Sequence, residues 1–331
     1  MKPGLLTANH VKMMFPVLPD FLRNVFQNGE VKLTNFLSVD DTCLTILTAH
    51  EMILRALQKD NKLKEFDLFE LCFGSGLASY SIMLDIEEKW GLKAHCVGVE
   101  VEPGSVAISR KNAEVLGLGD AVILKGSILD KDMLQKIPAL NRANRPTMFV
   151  INPPYVPMPD YCPSSLYING SVDGTYFYDS VVFDYLNALN SPDASLLFSS
   201  ICDVRKVLGK ISQNGYHIVR LKFCVVPFGR YTSNATQFIL NKVPNNYVCS
   251  NLEACKLLYS ANALQLLIGA VISKDATEDE MIADEDIISL LECFRDSGLE
   301  QLADHPVSKN NIWKLDDYEL QEANERYKCC C

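Results

Sequence analysis

The sequence predicts an α/β fold in which a seven-stranded, mostly parallel sheet is covered by helices, with an antiparallel hairpin at one edge. Three observations point to it. From about residue 65 onward, short apolar runs alternate with longer amphipathic stretches, so the periodicity switches repeatedly between strand and helix. The connections between them are short, as in crossovers of a parallel sheet covered on both faces. Two successive strand-like runs also end in glutamate, at Glu70 and Glu100, and a turn containing Gly74 and Gly76 opens the helix after the first.

Taken in order, residues 1–64 read as an N-terminal helical segment, interrupted at Pro16 and Pro19. Its second helix, DDTCLTILTAHEMILRALQK, carries Leu44, Leu47, Ile53, Leu54 and Leu57 at near-helical spacing, with Asp40 or Asp41 as the expected cap. FDLFELC is a buried strand and LASYSIMLDIEEKW a helix. AHCVGVE, GSVAISRKNAEVLG and AVILKG continue as strand, helix and strand. A short helix over 131–136 leads to the strand TMFVI. YFYDSVVFDYLNAL, SLLFSS and DVRKVLGKISQNG read as helix, strand and helix. HIVRLKFCVV and ATQFIL, with no helix between them, are the expected edge hairpin. The 65–244 stretch is thus one domain, and 245–331 an acidic extension expected to be helical throughout, including ALQLLIGAVI.

Charge is concentrated in that extension. Between Asp275 and Arg326 there are 16 acids and 4 bases, while the rest of the chain carries 25 acids and 27 bases. A body near neutrality gives little electrostatic help in holding a nucleic-acid backbone. No secretory signal pattern opens the chain, and its longest apolar run is too short to span a bilayer. Of 12 cysteines, nine are scattered singly from Cys43 to Cys293 without a C-x-x-C pair. They read as thiols in a reducing cytoplasm, with no metal site implied. EDEMIADEDI lacks the alternating acids and central glycine of a calcium loop and reads as a solvated helix face. The terminal Cys329, Cys330 and Cys331 do not fit a prenylation signal, because Lys328 stands where its cysteine is required.

In FELCFGSGL, Gly74 and Gly76 let the backbone take positive φ and a ligand come close, with Glu70 at the preceding strand end. Glu100 stands where a carboxylate accepts both hydroxyls of a ribose. A dinucleotide needs G-x-G-x-x-G, and the residues after Gly76 do not supply it. S-adenosylmethionine suits an acid followed by a glycine turn better, with Glu70 near its cationic methionine end. At the end of the fourth strand stands Asn152-Pro153-Pro154-Tyr155. Each proline fixes its own φ and pushes the preceding residue toward extended backbone, so this loop is shaped before a substrate arrives. The Asn152 side-chain oxygen and the Pro153 carbonyl would grip the two hydrogens of a planar NH2 group, with Tyr155 stacked on its face. Such a nitrogen is a weak nucleophile, and orienting it supplies much of the catalysis.

These stretches resemble the N-P-P-Y class of S-adenosylmethionine-dependent methyltransferases, and most of all the HemK/PrmC group that methylates a release-factor glutamine. ELCFGSG is similar to the group's first motif, VGVEVEPGSVAISRKNAEVLGL to its ribose strand and helix, INPPYVP to its substrate loop, and GSVDGTYFY to the segment that follows. DDTCLTIL resembles the helix start that borders the cofactor in the eukaryotic and archaeal branch. Over residues 38–242 the resemblance implies a Rossmann-like fold, with S-adenosyl-L-methionine as cofactor. It implies Thr42, Glu70, Gly74, Gly76, Glu100, Ser127 and Asn152 around that cofactor, and Asn152, Pro153 and Tyr155 at the reacting nitrogen. Three positions depart from the group: Cys72 replaces a glycine, Phe73 is bulky for its turn, and Ser127 replaces an acid.

The expected activity is therefore methylation of a protein glutamine amide by a cytoplasmic enzyme with a protein substrate. Adenine N6 in RNA or DNA is the alternative acceptor, because it also offers a planar NH2 group. A methyltransferase fold that only binds is the alternative of another class, motivated by Cys72, Phe73 and Ser127. The resemblance further implies a small zinc-binding activator, whose covering role the acidic extension would take over within the chain.

Overall fold

The computed structural model describes residues 39–141, 145–159, 168–228, 232, 235–250, 263–298 and 305. The expected helices before residue 39 and the stretch 251–262 lie outside them. Seven strands form one sheet in the order β3-β2-β1-β4-β5-β7-β6. They are β1 (Glu65–Leu71), β2 (Lys93–Glu100), β3 (Val122–Lys125), β4 (Thr147–Ile151), β5 (Asp193–Ser199), β6 (His217–Pro227) and β7 (Leu264–Ser273). The helices are α1 (Val39–Lys59), α2 (Leu77–Trp90), α3 (Pro103–Val115), α4 (Lys131–Lys136), α5 (Tyr176–Ser180), α6 (Val182–Ala188), α7 (Val204–Gln213), α8 (Thr236–Lys242) and α9 (Asp284–Ser297). Two compact units divide the chain. One runs to Asn152 and includes Ser180–Leu196 and Ser273–Asp275; the other holds Pro153–Asp179, Leu197–Ile272 and the residues from Ala276 on.

In the first unit β3, β2, β1, β4 and the start of β5 are parallel. Their register aligns Leu124, Val99, Leu71, Ile151 and Leu196 in one row across the sheet. The next residues along, Glu100 at the end of β2 and Cys72 and Asn152 just past β1 and β4, therefore stand at the same level. Helix α1 packs on α2 and β4. Its buried face is Cys43, Leu44, Ile46, Ala49, Met52 and Ile53, whereas Leu54 is exposed and Leu47 and Leu57 are half-buried. The apolar stripe is thus rotated from the one the leucines alone outlined. Asp40 and Asp41 lie inside the helix, which is already formed at Val39, so neither is its cap. Fully buried Arg55 donates to Asp193 Oδ1 (2.6 Å), Ser273 Oγ (3.0 Å) and the Asp275 carbonyl (3.3 Å), tying α1 to the start of β5.

In the second unit the expected edge hairpin is built differently. Residues 217–227 form β6 as expected, but ATQFIL lies largely within helix α8, Thr236–Lys242. The strand beside β6 is ALQLLIGAVI, read above as helical. The Phe228 amide donates to the Ala263 carbonyl (2.9 Å) and the Ser200 amide to the Leu266 carbonyl (2.8 Å), so β7 runs antiparallel between β6 and β5. The physical reason is that a continuous apolar run carries no periodicity to separate a buried strand from a buried helix. Every residue of β7 is buried, and its β-branched end, Val271-Ile272, suits a pleated surface. Among the described residues no helix is long and apolar enough to cross a membrane.

Candidate active site

The turn after β1 is held by backbone geometry that its residues do not all favour. Gly74 and Gly76 have φ of +56° and +76°, and Cys72, where the resemblance expects glycine, has φ of +61°. A β-carbon in that left-handed region costs free energy that glycine does not. Cys72→Gly should therefore stabilise the fold by about 0.5–1 kcal/mol, read as a higher urea midpoint. A lower midpoint would show that the thiol's contacts outweigh the backbone strain. On the side where a side chain of Gly74 would stand there is open space, with no atom within 4 Å. At Gly76 the same position is filled, 2.4 Å from the Tyr80 ring and 2.7 Å from the Phe73 ring. Phe73 does not crowd the turn from outside. Its ring is buried against Gly98, whose missing β-carbon would lie 2.5 Å away, and meets Tyr80 edge-on at 5.4 Å.

Glu70, second from the end of β1, is 4% exposed. Its Oε2 accepts the Ser79 amide (3.2 Å) and the Ser79 hydroxyl (2.5 Å) from α2. Its Oε1 makes no hydrogen bond among the described residues. Burial raises the carboxyl to about 8; Glu100 adds to this and the Ser79 hydrogen bonds oppose it. In the fold Glu70 therefore keeps its proton at pH values where an unfolded glutamate, at about 4.3, has lost it. The native state binds the extra proton, so this contribution to stability is complete below about pH 4 and is lost as pH rises through about 8. The melting temperature of the free protein should fall between pH 5 and 8, and Glu70→Gln should flatten that fall. Parallel curves for the two proteins would remove Glu70 as its cause.

Glu100 closes β2 and joins two loops. Its Oε2 accepts the Gly74 amide (2.7 Å) and its Oε1 the Glu102 amide (2.9 Å). Each oxygen keeps a second lone pair. The Asn112 side-chain amide donates to the Ser75 carbonyl (3.0 Å), tethering α3 to the glycine turn. Ser79 was missed, because a serine in the first turn of a helix carries no signal of its partner. Ser127 lies just beyond β3, where its hydroxyl accepts the Leu129 amide (3.1 Å). Thr42 is buried in α1, 7% exposed.

Asn152 is half-buried at the end of β4, and its side chain makes no hydrogen bond among the described residues. Pro153 and Tyr155 are buried and Pro154 half-buried. Within the second unit, the Tyr155 backbone is gripped by the GSVDG segment. The Val156 amide donates to the Ile168 carbonyl and the Gly170 amide to the Val156 carbonyl, both at 2.9 Å. A β-carbon at Gly170 would lie 2.7 Å from the Tyr155 carbonyl carbon, and one at Gly174 would lie 2.5 Å from the Tyr155 carbonyl oxygen. These glycines exist because backbone passes backbone there. The Cys202 thiol donates to the same carbonyl at 3.2 Å. Asp173 Oδ1 accepts the Thr175 amide (3.0 Å) and hydroxyl (2.8 Å), and its Oδ2 pairs with Lys206 (2.7 Å), which also pairs with Asp179. Burial alone would raise the Asp173 carboxyl, but Lys206 and Thr175 outweigh it and hold it below the usual range. Cys202 and Lys206 lie too far along the chain from Tyr155 for spacing to reveal them.

No family model and no curated protein matches the chain. Among solved structures, the chain is similar to a Pyrococcus horikoshii protein described as an RNA methyltransferase, at 15% identity over 68% of this chain and 82% of that one, with a TM-score of 0.39. An O-methyltransferase from Bacillus cereus, in complex with SAH, matches at 12% identity over 78% and 90%, with a TM-score of 0.36. TYW2 from M. jannaschii, in complex with AdoMet, matches at 11% identity over 68% and 75%, with a TM-score of 0.34.

Proposed function

We propose that the chain is an S-adenosylmethionine-dependent N-methyltransferase acting on a planar NH2 group, with a protein glutamine amide as acceptor. The observation that carries this reading is the Asn152 side chain just past β4, which makes no hydrogen bond among the described residues and stands on the same cross-sheet row as Glu100 and the start of the glycine turn. The residues of the first unit fit the cofactor. Open space at Gly74 admits a ligand to the backbone, Glu100 keeps lone pairs for a ribose, and Glu70, protonated in the free protein, would lose its proton to pair with a cationic amino-acid end. The cofactor supplies a methyl group activated on a sulfonium.

The chain's own residues hold the acceptor. Asn152 Oδ1 and the Pro153 carbonyl, one residue apart, accept the two N–H groups and turn the nitrogen lone pair toward the methyl. Tyr155, whose backbone is fixed by Gly170 and Gly174, covers the face of the amide. The acceptors are in place before the reaction, so charge growing on nitrogen is met without reorganisation. No base is needed to begin the transfer.

Calorimetric titration with S-adenosylmethionine and S-adenosylhomocysteine tests the cofactor, and saturable binding near micromolar, on the order of −8 kcal/mol, is expected. Labelled-methyl transfer to a glutamine-bearing release-factor fragment should then exceed transfer to adenine in RNA or DNA. Greater transfer to adenine would replace the acceptor. No binding would leave a fold that serves only as a binding module.

A further inference from the structure

In the second unit, β7 carries a single polar residue ahead of its closing Ser273. From Leu264 to Ile272 every other position is apolar or glycine, and the exception is Gln265, 5% exposed. A buried carboxamide needs partners at both of its ends. One end is satisfied, because Gln265 Oε1 accepts the Ser199 hydroxyl at 2.8 Å. The other end, Nε2 with its two N–H groups, makes no hydrogen bond among the described residues. A buried donor left without an acceptor costs more free energy than an ordinary hydrogen bond returns, so an apolar side chain would serve the sheet better here. A local rule broken without structural gain is a mark of function.

The position of Gln265 is as telling as its chemistry. It is the second residue of β7, and because β7 runs antiparallel to β5 it meets Ser199, the last residue of β5. That is the carboxyl edge of the sheet, outside which open α/β sheets bind their ligands. From Ser199 a tight turn leads back to Tyr155. The Cys202 amide donates to the Ser199 carbonyl at 3.0 Å, and the Cys202 thiol to the Tyr155 carbonyl at 3.2 Å. The Gln265 carboxamide is thus tied, within one unit, to the loop that covers the acceptor in the proposed function. Ser199 does not depend on Gln265 for a partner, since its hydroxyl also stands 3.1 Å from the Leu266 carbonyl.

We propose that Gln265 is a substrate-binding residue whose Nε2 donates to a carbonyl oxygen of the peptide that carries the acceptor glutamine. This deepens the proposed function and rests on it. A peptide brings an acceptor carbonyl at every residue, and a carbonyl withdrawn from water needs a donor. A neutral carboxamide matches that neutral group. A nucleic-acid backbone is held mainly by lysine and arginine. The cations tied to the GSVDG segment, Lys206 and Lys210, are already paired, Lys206 with Asp173 and Asp179 and Lys210 with Asp179.

Methyl transfer to the glutamine-bearing release-factor fragment is measured against peptide concentration for the native chain and for Gln265→Met, which keeps the length of the side chain and loses its donors. KM for the peptide should rise about tenfold, the worth of one hydrogen bond to a buried group, with kcat lowered no more than about twofold. The melting temperature should not fall, because Ser199 keeps the Leu266 carbonyl. A merely structural role predicts the reverse, a lower melting temperature with a native KM, and a native KM overturns the inference while leaving the proposed function intact. Should Gln265→Met melt early, the native protein decides. With S-adenosylhomocysteine present, the side-chain NH2 resonances of Gln265 should shift on saturation with the peptide, and unchanged resonances would refute the contact. A native chain that neither methylates nor binds the peptide overturns the acceptor reading itself, and the role of Gln265 falls with it.

Discussion

Asn152→Ala should lower labelled-methyl transfer by at least about a hundredfold while leaving the dissociation constant for S-adenosylhomocysteine within about twofold of the native value. The expected split follows from what the side chain does in the free protein. It makes no hydrogen bond among the described residues, so its removal deletes no contact that holds the fold. Glu100 and the Gly74 turn, which carry the cofactor in the proposed reading, are bonded to one another and not to Asn152. What the substitution removes is one of two acceptors orienting an amide nitrogen whose lone pair is delocalised. A single acceptor leaves that group free to rotate out of line, and misalignment at the reacting atom is costly in rate. Unchanged turnover would show that the loop is only a stiff strand end. Loss of cofactor binding together with turnover would place Asn152 at the cofactor instead.

A chain ending at Pro244 should not fold. The truncation removes β7, which lies between β5 and β6 in the sheet, and leaves β6 with no neighbouring strand among the described residues and β5 with β4 alone. Leu264, Leu266, Leu267, Ile268, Val271 and Ile272 are all buried to within 1%. At about 1.5–3 kcal/mol for each such side chain, their loss is on the order of 10 kcal/mol. That is comparable to the whole stability of an ordinary domain. The truncated chain should show no cooperative melting transition and rapid digestion by a non-specific protease. A soluble fragment with a native-like melting curve would mean that β7 is dispensable to the sheet. The extension is therefore not helical throughout, as its sequence was expected to make it. Its segment 264–273 completes the sheet.

Much of the fold was legible because its parallel half is written in local signals. Alternating runs, glycine at the β1–α2 turn and Pro103 at the start of α3 each state their structure within a few residues. The short helix Lys131–Lys136 falls where the sequence put it. The errors came where local signals are silent. ATQFIL and ALQLLIGAVI are both short on polar punctuation, and neither shows a period of two or of 3.6 clearly enough to exclude the other. Which one became the strand was decided by which could be buried on both faces between β5 and β6.

The candidate site divides in the same way. By itself the sequence determined the stiff Asn152–Tyr155 loop, the glycines at 74 and 76, and carboxylates at 70 and 100, since proline, glycine and strand-end acids act through their own backbone and neighbours. Only the tertiary structure decided that Glu70 is buried against Ser79 and retains a proton. It also decided that Phe73 fills the space left by Gly98, that Gly174 yields to the Tyr155 carbonyl, and that Tyr185 holds Ile128. Each of those relations depends on register and packing between residues distant in the chain, where a hydrogen bond or a missing β-carbon leaves no mark on either residue's own neighbourhood.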